Sequence, residues 1–332
     1  MEPSFILVGQ LTRDYLLPPV GQPLLDSPGG NLLYAAGGLG VWDAHIGLVS
    51  RAGEGYPRQW LKDLQKRGWD ISGIRIQPEA LDQRNFIAYS DDFEPIRSSP
   101  VSQFSQRGVP FPKALLGFQP RTDSQPARKI APTSPILSDI PSEYLDAGAL
   151  HLCPLELPVL QQFMDSLRGA LRVLTLDPSA GIMTPLTLRE VRGLVHGLTA
   201  FLPSLEEISA LFWGETNDPW EMASKVGEWG CEYVVIKCGE GGQLLYDAHS
   251  KKRWEIPAYP ARLTDPTGAG DAFCGGFLAG YRKQYDPLEG VLCGNVSASL
   301  AIEGSGPFHP LEAMHGLAEA RLESLREMVR KV

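Results

Sequence analysis

Cysteine and histidine are scarce in this chain, and positive charge is outnumbered. Its 332 residues include only five cysteines and six histidines. Cys153, Cys231, Cys238, Cys274 and Cys293 form no CxxC and no paired spacing. An odd, scattered set argues against a disulfide framework or a cysteine metal site and points to reduced thiols in a cytoplasmic protein. Lys and Arg number 30 against 39 Asp and Glu, a net charge of −9. That balance argues against nucleic acid or an anionic membrane surface as the main partner. No uninterrupted apolar run is long enough to span a bilayer. The segment Met1–Gly9 has no basic residues ahead of its short apolar run, so a first strand is expected there rather than a secretory leader.

Several familiar signatures are also missing. There is no GxxxxGK[ST], which excludes a P-loop, and no GxGxxG follows the first strand. His-Arg-Asp, Asp-Phe-Gly and Gly-x-Ser-x-Gly do not occur, and neither does HExxH. Protein kinases, α/β-hydrolases and HExxH metalloproteases are thereby set aside.

What is present is a strand–helix rhythm. Phe5–Gly9 and His45–Val49 read as strands, and so do Arg84–Tyr89, Leu150–Cys153, Arg172–Leu176 and Tyr233–Lys237. Helical patterns separate them at Asn31–Gly40, Tyr56–Arg67, Leu155–Arg168, Leu186–His196 and Pro219–Trp229. Gln243–Tyr246 and Lys252–Ile256 read as an antiparallel pair. The remainder reads as helix over Gly268–Lys283, Pro287–Ile302 and Pro310–Lys331. Alternation of this kind predicts an α/β fold with a mainly parallel sheet and helices on both faces. Ligands then bind beyond the carboxyl ends of the strands. Between Asp91 and Ser142 prolines recur and periodicity fades. Phe93, Phe104, Phe111 and Phe118 make a partly packed excursion the expectation there, rather than full disorder.

One stretch carries most of the chemistry: Asp265-Pro266-Thr267-Gly268-Ala269-Gly270-Asp271, running into a helical pattern. Small residues at a helix N-terminus present bare N–H groups and the positive end of the dipole to an anion. Asp271 stands at the junction, within reach of a hydroxyl that would attack the bound group. Those are the parts needed for phosphoryl transfer.

This stretch resembles the second signature of the PfkB (ribokinase-like) family of carbohydrate and nucleoside kinases, a DTxGAGD motif leading into a helix. Proline replaces the second residue, a variant seen in members resembling inositol kinases. The resemblance implies a ribokinase-like three-layer sandwich with a small β lid. The chain would be one kinase domain over 1–332, with a lid from about 10–30 and 72–100 and an irregular segment over about 91–142. It also implies Asp271 as general base, with Gly268, Ala269 and Gly270 forming an anion hole. Gly9-Gln10-Leu11-Thr12-Arg13-Asp14 resembles the first-strand motif whose Asp binds acceptor hydroxyls. Gly29-Gly30-Asn31-Leu32-Leu33-Tyr34 resembles the first signature, with Tyr34 where relatives carry asparagine. That difference points to an altered acceptor pocket.

Ser204-Leu205-Glu206-Glu207 falls where relatives carry Asn-x-x-Glu, which makes Glu207 the expected magnesium residue. By sequence alone, Ser204 and Glu207 equally form a helix capping box. Lys237, Gly239 and Gly242 match the Gly-rich turn by the nucleotide, and Thr267 and Asn295 are expected at the same cofactor. The implied cofactors are ATP and Mg²⁺, with a monovalent cation near Asp265 left open. The implied partner is a small hydroxyl acceptor bound by Asp14, Gly29, Gly30, Asn31 and Tyr34, in a monomer or homodimer. The acceptor is a sugar, polyol or nucleoside. The lack of an Arg cluster near Gly29–Tyr34 disfavours a phosphorylated one. A second reading is a non-catalytic relative that binds a ligand without turnover; loosely similar regions are Gly29–Ala36 and Arg128–His151. The intact Asp271 argues for catalysis.

Overall fold

The computed structural model describes residues 3–120 and 129–332. Its first half contains β1 (Phe5–Val8), β2 (Thr12–Leu17), β3 (Leu24–Gly29), α1 (Asn31–Gly40), β4 (Ile46–Gly53), α2 (Arg58–Lys66), β5 (Asp70–Gln77), β6 (Arg84–Tyr89), the two-residue β7 (Pro95–Ile96) and α3 (Pro100–Gln106). Next come β8 (Ala149–Leu152), α4 (Leu157–Leu167), β9 (Val173–Leu176), α5 (Leu188–Val195), β10 (Ala200–Phe201), α6 (Leu205–Leu211), α7 (Pro219–Glu228) and β11 (Tyr233–Lys237). The chain closes with β12 (Gln243–Asp247), β13 (Arg253–Ile256), α8 (Ala269–Gln284), α9 (Pro287–Ala301), α10 (Leu317–Arg326) and β14 (Arg330–Lys331).

The described strands form two sheets. The large one has the order β14-β13-β12-β11-β10-β9-β8-β1-β4-β5. It is parallel from β11 through β5 and antiparallel from β11 to β14. β1 shows why three layers form. All four of its residues are buried, and they alternate between two cores. Phe5 and Leu7 pack with residues of α1, α8 and α9, whereas Ile6 and Val8 pack with residues of α4 to α7. A strand covered on both faces needs this unbroken apolar run.

The helix pair that carries the signature is packed unusually closely. A side chain at Gly38 would strike the Ala272 carbonyl, and one at Gly275 would strike the Ala35 carbonyl. Small residues therefore let α1 and α8 meet backbone to backbone, which fixes the start of α1 against the start of α8.

The small sheet has the order β3-β2-β6-β7. It is a lid with its own apolar pad: Tyr15, Leu17, Phe86 and Ala88 pack with Phe104 and Leu115 and, partly buried, Phe111 and Phe118. The excursion after β7 thus covers the lid sheet. Phe93 takes no part in it; the residue is 39% exposed. Residues 121–128 of the excursion, including Pro126 and Arg128, lie outside the described residues.

Three sequence expectations need correction. Asp70–Gln77, assigned in part to the lid, is β5 at the edge of the large sheet. The single helix expected over Pro310–Lys331 is broken into a 3₁₀ turn (His309–Glu312), α10 and the edge strand β14. Gly316, at φ 81°, interrupts it in a left-handed conformation just before α10. β3, unexpected from its Pro and Gly content, pairs with β2 to complete the lid.

Candidate active site

A cleft of about 440 Å³ lies between the lid and the strand ends of the large sheet. Asp14, Asn31, Tyr34, Asn85, Arg97 and Asp271 line it, with Gly30, Thr267 and Gly268. Sequence elements separated by more than 250 residues therefore meet in one place.

Asp14, on β2, is fully buried. Its Oδ1 accepts from Thr12 Oγ1 at 2.5 Å and from Asn85 Nδ2 at 3.0 Å, and Tyr34 Oη donates to its Oδ2 at 3.4 Å. Burial raises its pKa, and those three donors pull it back down. Three donors on one carboxylate hold it in a fixed orientation. Gly29 is explained here, though not as expected. A Cβ at that position would overlap the Asp14 carboxylate, so Gly29 makes room for Asp14 rather than for substrate. Asn31 is likewise spent on structure: its Oδ1 accepts from Gln10 N and its Nδ2 donates to the Pro154 carbonyl.

The signature turn is built around Asp265. Its Oδ1 accepts from both the backbone N–H and the hydroxyl of Thr267, at 3.0 and 2.6 Å. Its Oδ2 is buried without a hydrogen-bond partner. Gly268, at φ 74°, caps α8, and a Cβ there would enter the Tyr34 ring. Tyr34 thus roofs the turn, an arrangement that no other residue than glycine at 268 permits. The Ala269 N–H points back to the Pro266 carbonyl at 3.2 Å, which takes it out of the expected anion hole. Free N–H groups at the start of α8 are those that helix geometry leaves unsatisfied, at Gly270 and Asp271.

Asp271 sits in the first turn of α8. Its carboxyl is pushed up to about 7, first by desolvation and then by the negative charge of Asp177; Lys237 and Arg97 work in the opposite direction. A base poised near neutrality suits proton abstraction at physiological pH.

Lys237, at the end of β11, forms a buried ion pair with Asp177, at the end of β9. Its Nζ donates to both carboxylate oxygens at 2.7 Å. The pair holds Lys237 in its charged form, because Asp177 outweighs the cost of burial. A side chain at Gly270 would end 3.5 Å from Lys237 Nζ, so the ammonium lies beside the helix start. Cys274 Sγ donates to Asp177 Oδ2 at 3.4 Å. His151 and Cys153 are buried, as expected of core residues, and the His151 imidazole is pushed down to about 3.

Three expected cofactor contacts have other occupations. Asn295 Oδ1 accepts from Tyr259 N, and its Nδ2 donates to Gln243 Oε1 and the Pro257 carbonyl. It fixes the segment after β13, and its amide is not offered to a ligand. The Thr267 hydroxyl is bound to Asp265 and to Tyr89 Oη. Glu207 Oε2 accepts from Ser204 N at 2.8 Å while Glu207 N donates to Ser204 Oγ at 3.1 Å, a reciprocal capping box. Among the described residues no three His, Cys, Asp or Glu side chains form a group able to hold a metal. Gly239 and Gly242 shape the turn after Lys237, closed by Cys238 N donating to the Gly242 carbonyl.

Asp177, Asn85, Tyr89 and Arg97 were not singled out from sequence. Asp177 had a usable signal, a carboxylate at the carboxyl end of a parallel strand. The other three come from the lid, where sequence pattern says little about which side chains turn inward.

The pfkB family carbohydrate kinase profile matches residues 140–314, more than half the chain. The chain belongs to the pfkB family of carbohydrate kinases. A cytidine kinase of Thermococcus kodakarensis is 29% identical over 286 residues, covering 86% of this chain and 91% of that protein. Among solved structures, a ribokinase II candidate from E. coli in complex with ATP and Mg²⁺ matches with a TM-score of 0.71 at 17% identity, covering 97% of this chain and 99% of that one. The nucleoside kinase of Burkholderia thailandensis in complex with inosine gives 0.69 at 20% identity, covering 97% and 98%. The fold is the ribokinase-like three-layer sandwich with a small β lid. No helix among the described residues is long and apolar enough to cross a membrane.

Proposed function

We propose that this kinase transfers the γ-phosphoryl group of ATP to a hydroxyl of a small sugar, polyol or nucleoside held in the cleft, with Asp271 as general base. The observation that carries this reading is the position of Asp271. It lies at the start of α8, in the same cleft as Asp14, with its pKa raised to about 7.

Asp14, oriented by Thr12, Asn85 and Tyr34, accepts hydrogen bonds from acceptor hydroxyls. Asp271 takes the proton of the attacking hydroxyl as its oxygen bonds to the γ-phosphorus and the bond to the β,γ-bridging oxygen breaks, releasing ADP. The free N–H groups of the α8 start and the Lys237 ammonium face the charge that develops on the transferring group. Arg97 reaches over the cleft from the lid, where its positive charge acts on both Asp14 and Asp271. Positioning and electrostatics then supply most of the acceleration. Mg²⁺, when bound with ATP, would neutralise phosphate charge; among the described residues no ligand cluster forms, and Glu207 is the residue the family resemblance would offer it. The unpartnered Asp265 Oδ2 is the atom that a monovalent cation would satisfy.

The relatives named cytidine kinase and nucleoside kinase support the class of acceptor. A phosphotransfer screen with ATP·Mg²⁺ against sugars, polyols and nucleosides tests the reading. Turnover of one class, abolished in Asp271→Asn, is the expected result. Ligand binding without turnover of any acceptor would favour a non-catalytic relative instead.

A further inference from the structure

Within the lid, β7 pairs with β6 only at Ala88 and Tyr89. Among the described residues no strand pairs with Arg84–Ile87 on that side, and Phe86 and Ile87 line the cleft. The Phe86 side chain is 1% exposed in the lid core, so what it offers the cleft is backbone. Phe118 stands beside this open edge and also lines the cleft.

Phe118 packs against the lid's apolar pad, and Arg84 ties its turn to β6. Arg84 donates to both oxygens of Asp82 and, through Nη1, to the carbonyls of Ala114 and Leu116. Its guanidinium lies 5.6 Å from the centre of the Phe118 ring. The excursion from α3 to residue 120 is thereby tied to the start of β6, with an aromatic ring held at the cleft. Order along β6 places this feature. Tyr89 bonds Thr267 of the signature turn, Asn85 bonds Asp14, and Arg84 holds the Phe118 turn. At about 3.3 Å per residue, Arg84 lies roughly 16 Å along the strand from Tyr89. The aromatic wall is therefore at the end of the cleft away from the phosphoryl site, with the Asp14 carboxylate between them.

We propose that the acceptor is a nucleoside whose base lies against Phe118 and the open edge of β6, with its ribose hydroxyls on Asp14 and Asn85 and its primary hydroxyl at Asp271. This rests on the reading of the cleft as the acceptor site. An aromatic face next to a strand edge that no described strand covers matches a planar heterocycle with a hydrogen-bonding edge. A free monosaccharide or polyol would leave Phe118 against hydroxyls. A sugar phosphate would need an uncommitted cation at the far end; among the described residues Arg84 stands there, with its donors engaged by Asp82 and two carbonyls.

Equilibrium binding by calorimetry, on the full chain without ATP, tests this with cytidine, uridine, adenosine, inosine, ribose, myo-inositol and a hexose monophosphate. At least one nucleoside should bind a hundredfold or more tighter than ribose. Phe118→Ala should weaken that nucleoside roughly tenfold and leave ribose unchanged. Phe118→Leu preserves apolar packing on the lid and should weaken the nucleoside similarly, which separates stacking from lid unfolding. Equal affinity for ribose and nucleosides, tighter binding of the hexose monophosphate, or indifference of the nucleoside to both variants would overturn the proposal. Turnover is not measured, so a failure of phosphotransfer would strike the role of Asp271 and leave this assignment standing.

Discussion

The hydroxyl of Tyr89, on the lid, lies 2.7 Å from Thr267 Oγ1, in the turn that opens α8. Thr267 is itself bonded to Asp265. Lid, signature turn and buried carboxylate therefore form one chain of hydrogen bonds, and the lid is latched over the phosphoryl end of the cleft. Closure of this kind excludes water from a reacting phosphoryl group.

Tyr89→Phe removes the latch and keeps the ring. The loss of one hydrogen bond should lower stability by about 1 kcal/mol, read as a small fall in the denaturant midpoint. The larger effect is expected in fidelity: ATP hydrolysis without acceptor should rise relative to phosphotransfer. An unchanged ratio of the two rates would mean that the contact does not guard the site.

Asp271→Asn keeps shape and removes the base. Phosphotransfer should fall by roughly 10²–10⁴, while ATP binding stays intact. The wild-type pH profile carries the same information. Asp271 works as the carboxylate, and its pKa in the folded chain is raised to about 7. The rate should therefore climb as pH increases from 6 to 8 and level off above the pKa. A rate that is flat across that range would contradict Asp271 as the base.

How far this site could be read in advance depended on where its parts lie. Gly268, Gly270 and Asp271 are adjacent in the chain, and their chemistry is local: a helix start, small residues and one carboxylate. Asp14 and Lys237 stood out only through their likeness to family motifs; by residue type alone each reads as an ordinary turn or strand-end charge. Asn295 misled because an amide in a helix does not announce its partners, and here they are Gln243, Pro257 and Tyr259. β5 and β3 escaped because DISGIRIQ and LLDSPG mix glycine, proline and charge. Pairing with β4 and β2 overrides weak strand propensity there. Phe118 and Arg97 gain their positions from the lid's tertiary packing, which has no period along the sequence.

Asp14→Ala should act on one substrate only. A hydrogen bond to a charged group contributes about 1.5–3 kcal/mol, so the acceptor KM should rise at least tenfold. The KM for ATP should stay within about twofold. Asp14→Asn, which preserves volume and its contact with Gly29, guards against a folding defect. Equal rises in both constants would remove Asp14 from the acceptor site.

Asp177→Asn tests a residue that touches neither substrate in the proposed mechanism. Its carboxylate is bonded by Lys237 at 2.7 Å through both oxygens, and its charge helps to raise the pKa of Asp271. Removing that charge has two effects of the same sign. The repulsion that keeps Asp271 protonated is lost, and the Lys237 ammonium is no longer neutralised nearby. The pKa of Asp271 should fall, so the acid limb of the kcat profile should move to lower pH. A stronger carboxylic acid is also a weaker base, so the plateau rate should drop as the limb shifts. Stability should suffer too, because breaking one side of a buried pair costs about 3–5 kcal/mol. Lys237→Met combined with Asp177→Asn should recover part of that loss, since no unpaired charge remains. A purely structural role for Asp177 predicts lower stability with the acid limb unmoved, and that outcome would separate the pair from the tuning of the base.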